Sequence, residues 1–400
     1  MYRKRALVIG EGEEIRMRPD SGEKKQVGIV GSGYIAKGLV RLLEHQPDLA
    51  VSRVLTRTDR NARPDFPRSA FLTDSAGELA DASDIVVIST GDAVYGTCVA
   101  DELQRAGLPV VTMDAELQLV SGSYFAKKGY FSEAEGDQPG CLAALKTDAE
   151  EMGFHPWVYG NIKGFLNHDP ASAEMQYWAE KNGQQYDATI AMTDGTKVQI
   201  EQAFVANAFG AGILQAGLSG APGDNLGAAA FSLATKAVAS KRPVSDYVLS
   251  PVHGGGIFLV CGHDAAERDS LRYYKMGEGP FYLLQRNYHL SHFEILKTVR
   301  QALLNGRVLM NNGPAPSVSV APVAKHALAP GDHIGKGTGC MEVRGSAVRI
   351  WDCPDHVPIG LLADAVVKKP IRAGETVTFD RVELPQTLAQ DIWDRIPKGL

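Results

Sequence analysis

Gln26-Val27-Gly28-Ile29-Val30-Gly31-Ser32-Gly33-Tyr34-Ile35-Ala36-Lys37-Gly38 decides the fold. An apolar run of strand type stops at Gly31, two glycines bracket Ser32, and a helical pattern begins at Tyr34 and continues through Leu39, Leu42 and Leu43. Strand, glycine turn and helix in that order form the phosphate cradle of a dinucleotide fold. Glycines let the backbone approach a pyrophosphate, and the helix N-terminus offers free N–H groups and partial positive charge. Ala36 stands where the fingerprint wants a third glycine or alanine, and Gly38 relieves crowding half a turn later. Gly31, Ser32, Gly33, Tyr34 and Ile35 are therefore the candidate pyrophosphate contacts.

Working outward, Leu49–Thr56 reads as a second strand, and Asp84–Thr90 as a strand buried on both faces of a parallel sheet. A helix from about Tyr95 to Ala106 leads through Gly107 into the strand Pro109–Met113. This β-α-β alternation predicts an α/β fold with an N-terminal doubly wound, Rossmann-type sheet. Ligands of such sheets sit beyond the carboxyl ends of the strands, where Gly31, Arg57, Thr90, Gly91, Asp114 and Glu116 fall. Thr90, Gly91 and Glu116 are expected to line the nicotinamide side. An NAD site wants Asp or Glu at the end of the second strand, but this chain has Thr56-Arg57-Thr58-Asp59-Arg60. A guanidinium there grips a 2′-phosphate, so NADP(H) is favoured over NAD(H), with Asp59 as the counter-argument.

The pattern changes after Gly129. Tyr130–Ser132 reads as a strand, 141–152 as a helix and 156–162 as a strand; a glycine- and alanine-rich stretch then runs to about 240. Gly254-Gly255-Gly256 reads as a loop before the strand 257–260, Tyr282–Arg286 as a further strand, and 291–305 as a helix able to pack back on the first domain. Pro314, Pro316 and Pro322 suggest a linker. Short strands and turns follow at Leu328–Asp332, Val357–Leu361, Ile371–Glu375 and Val377–Phe379. The expected division is an arm over 1–25 with a possible edge strand Leu7–Ile9, a dinucleotide domain over 26–135, an α+β catalytic domain over 136–315, a small all-β domain over 316–385, and a tail over 386–400.

Composition narrows the function. The chain has 400 residues, 44% of them hydrophobic, enough for more than one core. A net charge of −6 argues against a nucleic-acid partner. No run approaches the ~18 apolar residues of a membrane span. The apolar part of the N-terminal stretch is too short for a secretion signal. Cys98, Cys141, Cys261, Cys340 and Cys353 are dispersed, without zinc-site or disulfide spacing. A cytoplasmic homo-oligomer acting on a small molecule is the expectation. No G-x-S-x-G elbow, P-loop or HExxH occurs, so serine-hydrolase, NTPase and zincin chemistry has no support.

Three places could carry chemistry. Glu133, Glu135 and Asp137 alternate after a strand, so an extended chain would point all three carboxylates the same way. Glu135 and Asp137 are candidate ligands for Mg²⁺ or Mn²⁺, and Asp137 a candidate general base. Lys163 ends a predicted strand, and Asp194-Gly195-Thr196-Lys197 reads as a hairpin turn. Reduction of a ketone needs a proton donor at the forming alkoxide, which Lys163 or His289 could be. Lys163, Lys197 or Arg286 could hold a substrate anion.

The C-terminal strings Val357-Pro358-Ile359-Gly360-Leu361 and Ile371-Arg372-Ala373-Gly374-Glu375-Thr376-Val377-Thr378 resemble a SAF domain, a small β-clip fold. Gly136-Asp137-Gln138-Pro139, Leu166-Asn167-His168-Asp169, Asp194–Lys197, Ala206-Asn207-Ala208, Gly277–Phe281 and Arg286–Leu290 extend the likeness over roughly 26–385. The chain resembles the homoserine-dehydrogenase-like SAF oxidoreductases, which include 1-deoxy-D-xylulose 5-phosphate reductoisomerase-like (DRL) enzymes. Gln138 departs from the acid usual after the Gly-Asp pair. The resemblance implies NAD(P)-dependent redox chemistry on a small polyol, ketose or sugar acid, and a divalent metal as a candidate cofactor. Lys163 and Asp137 would then be the acid–base or metal-binding pair, with Lys197 and His289 orienting substrate. The alternatives are a plain dehydrogenase of homoserine type and a cofactor- or carbohydrate-binding sensor without turnover.

Overall fold

The computed structural model describes residues 24–59 and 66–399. The arm with its possible edge strand Leu7–Ile9, and Arg60 at the second-strand loop, lie outside the described residues. The first sheet has six parallel strands: β1 (Lys25–Val30), β2 (Leu49–Leu55), β3 (Leu72–Thr73), β4 (Ile85–Ile88), β5 (Val110–Thr112) and β6 (Phe131–Glu133). Their order is β3-β2-β1-β4-β5-β6, a doubly wound sheet that switches direction between β1 and β4. Helices α1 (Tyr34–Leu43), α2 (Ala76–Asp81) and α3 (Ala93–Arg105) cross over between strands. The short α4 (Ala115–Leu117) and α5 (Ser123–Lys128), joined by a wider helical turn over Gln118–Gly122, link β5 to β6. Ile85, Val86, Val87 and Ile88 are all fully buried, as a strand covered on both faces requires.

The second unit begins with α6 (Gln138–Glu151) and β7 (His155–Lys163). It continues through α7 (Ser172–Asn182), α8 (Tyr186–Thr193), α9 (Thr196–Phe209), β8 (Ala221–Pro222) and α10 (Leu226–Ala239). Then come β9 (Val244–Leu249), β10 (Ile257–Gly262), α11 (Arg268–Tyr273), β11 (Tyr282–Arg286) and α12 (His292–Asn305). The mixed sheet runs β11-β10-β7-β9-β8. Strand alternation divides its faces: Val158, Ile162, Val244 and Val248 meet α10, while Tyr159, Tyr247 and Leu259 meet α6 and α9. Helix α12 packs against α1, so Ile295, Leu296 and Val299 join the core of the first sheet. Gly38 of α1 makes that crossing possible, because a Cβ there would stand 2.5 Å from the His292 ring.

The C-terminal part holds two small antiparallel sheets. One pairs β12 (Val318–Ala324) with β14 (Val343–Arg349). The other joins β13 (His333–Lys336), β15 (Ala363–Val367) and β16 (Val382–Glu383). The final helix, α13 (Leu388–Arg395), returns to α3, where Ile392 and Ile396 enter the first core.

Several local readings are corrected. The linker suggested by Pro314–Pro322 contains the start of β12, with Pro322 opposite Gly345. Proline is tolerated because its missing N–H lies on the side away from β14, where β12 meets only the isolated bridge Val323–Thr376 and the Pro322 carbonyl still accepts from the Val377 N–H. Asp194-Gly195 joins two helices instead of two strands, with Gly195 at φ +87°. Val357–Leu361 closes as a 3₁₀ turn over Ile359–Leu361, and Leu328 and Ile371 meet as one isolated bridge between turns.

Candidate active site

At the switch point, β1 runs into Gly31 at φ +108°, where a Cβ would stand 2.6 Å from the Ser89 carbonyl oxygen at the end of β4. Only glycine adopts that conformation freely. Gly33 opens α1 with no side-chain cap, and a Cβ there would meet nothing within 4 Å. The first-turn N–H groups of α1 are thus left for a ligand at an open edge, which fits a pyrophosphate. Ser32 Oγ lies 2.9 Å from Thr56 Oγ1 and ties the turn to the end of β2. Arg57 sits beside it, its Nη2 2.9 Å from Asp92 Oδ2 and its guanidinium 4.2 Å above the Tyr95 ring. Asp92 in turn caps α3 through the Tyr95 N–H.

Beyond β4 and β5, Thr90 Oγ1 donates to Asp114 Oδ2 at 3.1 Å, and Gly91 at φ +61° faces open space. Asp114 caps α4 through the Leu117 N–H. Glu116 is turned toward the C-terminal part, where a Cβ on Gly360 would stand 2.8 Å from Glu116 Cγ. Burial and the charge of Asp114 push the Glu116 carboxyl up to about 8, against the pull of Thr338 and Lys336.

The acid–base cluster lies where the N-terminus of α6, the end of β7 and the start of α9 come together. Lys163, 14% exposed at the end of β7, places Nζ 3.7 Å from Glu201 Oε2. The nearly fully buried Glu201 also faces Lys197, one helical turn earlier, at 3.7 Å. Asn161, on the same face of β7 as Lys163, donates Nδ2 to Glu201 Oε2 at 2.9 Å. Burial pulls the Lys163 ammonium below the ordinary lysine value, and Glu201 partly restores it. Burial likewise lowers His289, which feels the charges of Glu201, Lys197 and Lys163. Asp137 caps α6 by accepting from Gly140 N–H at 2.9 Å. Desolvation lifts its carboxyl to about 6, and Glu133 beside it is raised well above the usual carboxylate range. Burial and the Asp137 charge both favour the protonated form of Glu133, neither of whose oxygens makes a hydrogen bond within the protein. Glu133 also senses Asp114, which joins the cluster electrostatically to the Thr90 end of the dinucleotide sheet.

Lys163, Lys197, His289 and Asp137 therefore converge, although they arise on four separate segments. Sequence reasoning missed Glu201 and Asn161. Two signals were available: the four-residue spacing of Lys197 and Glu201, and the two-residue spacing of Asn161 and Lys163. Buried polar atoms around the cluster, Asn161 Oδ1, the Gln118 amide and His289 Nδ1, make no hydrogen bond within the protein. They are donors and acceptors suited to a hydroxylated ligand.

The three carboxylates do not project together. Gly136 at φ +137° breaks the extended alternation. Glu135 Oε1 instead accepts from Arg286 Nη1 at 2.9 Å and from Lys297 Nζ at 2.7 Å. A Mg²⁺ or Mn²⁺ site built from Glu135 and Asp137 does not fit this arrangement. Among the described residues, Glu135, Cys141 and Glu294 could approach a metal together. Arg286 and Lys297 already neutralise both of those carboxylates. Arg286 is thereby committed to Glu135 and Glu294.

Residues 136–295 match the family described as "Oxidoreductase DRL, catalytic domain". That segment contains Asp137, Lys163, Lys197, Glu201 and His289, and the chain is an oxidoreductase. No curated protein matches the chain in sequence. Among solved structures, a homoserine dehydrogenase from Thiobacillus denitrificans is 12% identical at a TM-score of 0.46, covering 88% of this chain and 98% of that one. A myo-inositol dehydrogenase from Corynebacterium glutamicum is 13% identical at a TM-score of 0.40, covering 72% and 90%. GenD2 from gentamicin A biosynthesis, in complex with NAD, is 13% identical at a TM-score of 0.36, covering 75% and 90%. At these scores none of the three bears on substrate or mechanism. No helix among the described residues is long and apolar enough to cross a membrane.

Proposed function

We propose that the protein is a nicotinamide-dependent oxidoreductase interconverting a carbonyl and a hydroxyl group in a small polyol, ketose or sugar acid. One observation carries this reading: Lys163, Lys197, Glu201, His289 and the Asp137–Glu133 pair gather beside the Thr90–Asp114 end of a dinucleotide sheet. A bound nicotinamide would supply or accept the hydride at the substrate carbon. Lys163 would hold the proton at the reacting oxygen; its desolvated ammonium is a better donor than an exposed lysine. Glu201 and Asn161 would fix its position. Lys197 and His289 would orient substrate hydroxyl or anionic groups, and Asp137 would be the acid–base partner of Lys163. Gly31, Ser32, Gly33, Tyr34 and Ile35 would hold the pyrophosphate. Arg57 would meet the 2′-phosphate of NADP(H), which competes with Asp92 for the guanidinium.

The match of residues 136–295 to the DRL catalytic domain favours a reductoisomerase, in which a carbon-skeleton rearrangement accompanies hydride transfer. The test is a fluorescence titration with NADPH and NADH, followed by a cofactor-absorbance screen. The screen takes sugar acids, polyols, homoserine and 1-deoxy-D-xylulose 5-phosphate, with product analysis. Turnover of a hydroxylated substrate with NADPH is expected. Cofactor binding with no turnover of any class would favour a sensor, and absence of cofactor binding would end the proposal.

A further inference from the structure

We propose that the C-terminal unit is a positioning element for the acid–base cluster, locking the first turn of α9 against β12 and β14 so that Lys197 and Glu201 face Lys163. The inference rests on the functional reading above. Asp194 ends α8, and its Oδ1 accepts from the Thr196 N–H at 2.9 Å, which fixes the start of α9. Its other oxygen lies 2.8 Å from Lys325 Nζ, with the two side chains 0% and 1% exposed. Lys325 directly follows β12, and its Nζ also donates to the Cys340 carbonyl at 2.7 Å. Two further bonds cross the same seam. Gly345 N–H donates to Thr196 Oγ1 at 2.8 Å, and Ala347 N–H to Gln199 Oε1 at 2.8 Å. The approach is close: a Cβ on Gly345 would stand 3.0 Å from Thr196 Cγ2.

Adhesion alone does not require this arrangement. Val198, Phe204, Val318, Val320 and Ala347 already share one apolar core across the seam. A fully buried ion pair adds little net stability over an apolar pair of similar shape, and its best-attested use is to fix register. Here the register it fixes is that of Thr196, whose next neighbour is Lys197 and whose helix carries Glu201. The groups facing Lys163 are Glu201 and Lys197 from α9, with His289 from the loop after β11.

The test uses the full chain in two variant sets. Lys325→Met with Asp194→Asn neutralises the pair, while the amide oxygen introduced by the second change can still accept from the Thr196 N–H. Thr196→Val removes one crossing bond, and Thr196→Ser restores it. Trace acetylation followed by mass spectrometry gives the ratio of Lys163 to Lys197 reactivity, which needs no substrate. Turnover is expressed per cofactor-binding site, so that loss of folded protein does not register. The expected result is a change in the labelling ratio and a kcat about tenfold lower or more in the double variant and in Thr196→Val, with KM little changed. Thr196→Ser should behave as the unaltered protein. An unchanged ratio and an unchanged kcat per site in Thr196→Val would overturn the proposal, even if the double variant fails to fold. Lys163→Ala with full turnover would instead overturn the functional reading.

Discussion

Replacing Glu116 by glutamine tests how the C-terminal part closes on the dinucleotide sheet. The Cγ of Glu116 lies against Gly360, and its carboxyl is raised from an ordinary 4.5 to about 8, chiefly by burial. A raised carboxyl binds its proton more tightly in the folded than in the unfolded state. Its stabilising contribution is therefore complete below the unfolded value and is lost as pH rises through the folded one. The full span corresponds to an upper limit of roughly 5 kcal/mol, at about 1.4 kcal/mol per pH unit. Between pH 5.5 and 7.5 the unaltered protein should lose roughly 3 kcal/mol relative to Glu116→Gln, which cannot ionise. Asp137 and Glu133 are present in both proteins, so the difference between them reports on Glu116 together with the Asp114 charge it feels. Urea unfolding followed by tryptophan fluorescence at pH 5.5, 6.5 and 7.5 measures that difference. A stability gap that stays constant over the range would mean that Glu116 titrates alike in the folded and unfolded chains, contrary to its burial here.

Two glycine variants separate fold from cofactor. Gly31→Ala forces a left-handed residue toward the Ser89 carbonyl and should destabilise by about 1–3 kcal/mol, seen as a lower melting temperature. Gly33→Ala, at φ −80° with open space around it, should melt as the unaltered protein does yet bind dinucleotide more weakly in a fluorescence titration. Arg57→Ala should weaken NADPH binding by about 10- to 100-fold and leave NADH nearly unchanged. Tighter binding of NADH than NADPH, with Arg57→Ala having no effect, would remove the NADP(H) preference.

The dinucleotide sheet was legible because its signals are local. A buried apolar strand, a glycine pair and the start of an amphipathic helix occupy thirteen consecutive residues at 26–38, and the central strand Ile85–Ile88 is apolar throughout. The acid–base cluster was legible only in part. Lys163 and Asp137 stand next to strand ends or turn residues that drew attention. Glu201 lies inside α9 among Ile200, Gln202 and Ala203, where its side chain reads as an ordinary helix residue. Its importance comes from β7, some forty positions earlier in the chain, which no local pattern reports. The carboxylate alternation failed for a similar reason. Gly136 permits a backbone turn, and Arg286 and Lys297, more than 150 residues away, draw Glu135 out of line. Asp194-Gly195 carries the residues of a hairpin turn, but the helical segments on either side decide its geometry, and Lys325 holds it in place.

If Lys163 moves the proton at the reacting carbon–oxygen bond, Lys163→Met slows the chemical step and leaves the cofactor site intact. The measurement compares single-turnover cofactor absorbance with cofactor affinity, using a substrate from the screen. The rate should fall about 10²- to 10⁴-fold with cofactor binding unchanged. A rate within about twofold of the unaltered protein, at equal cofactor affinity, would contradict it.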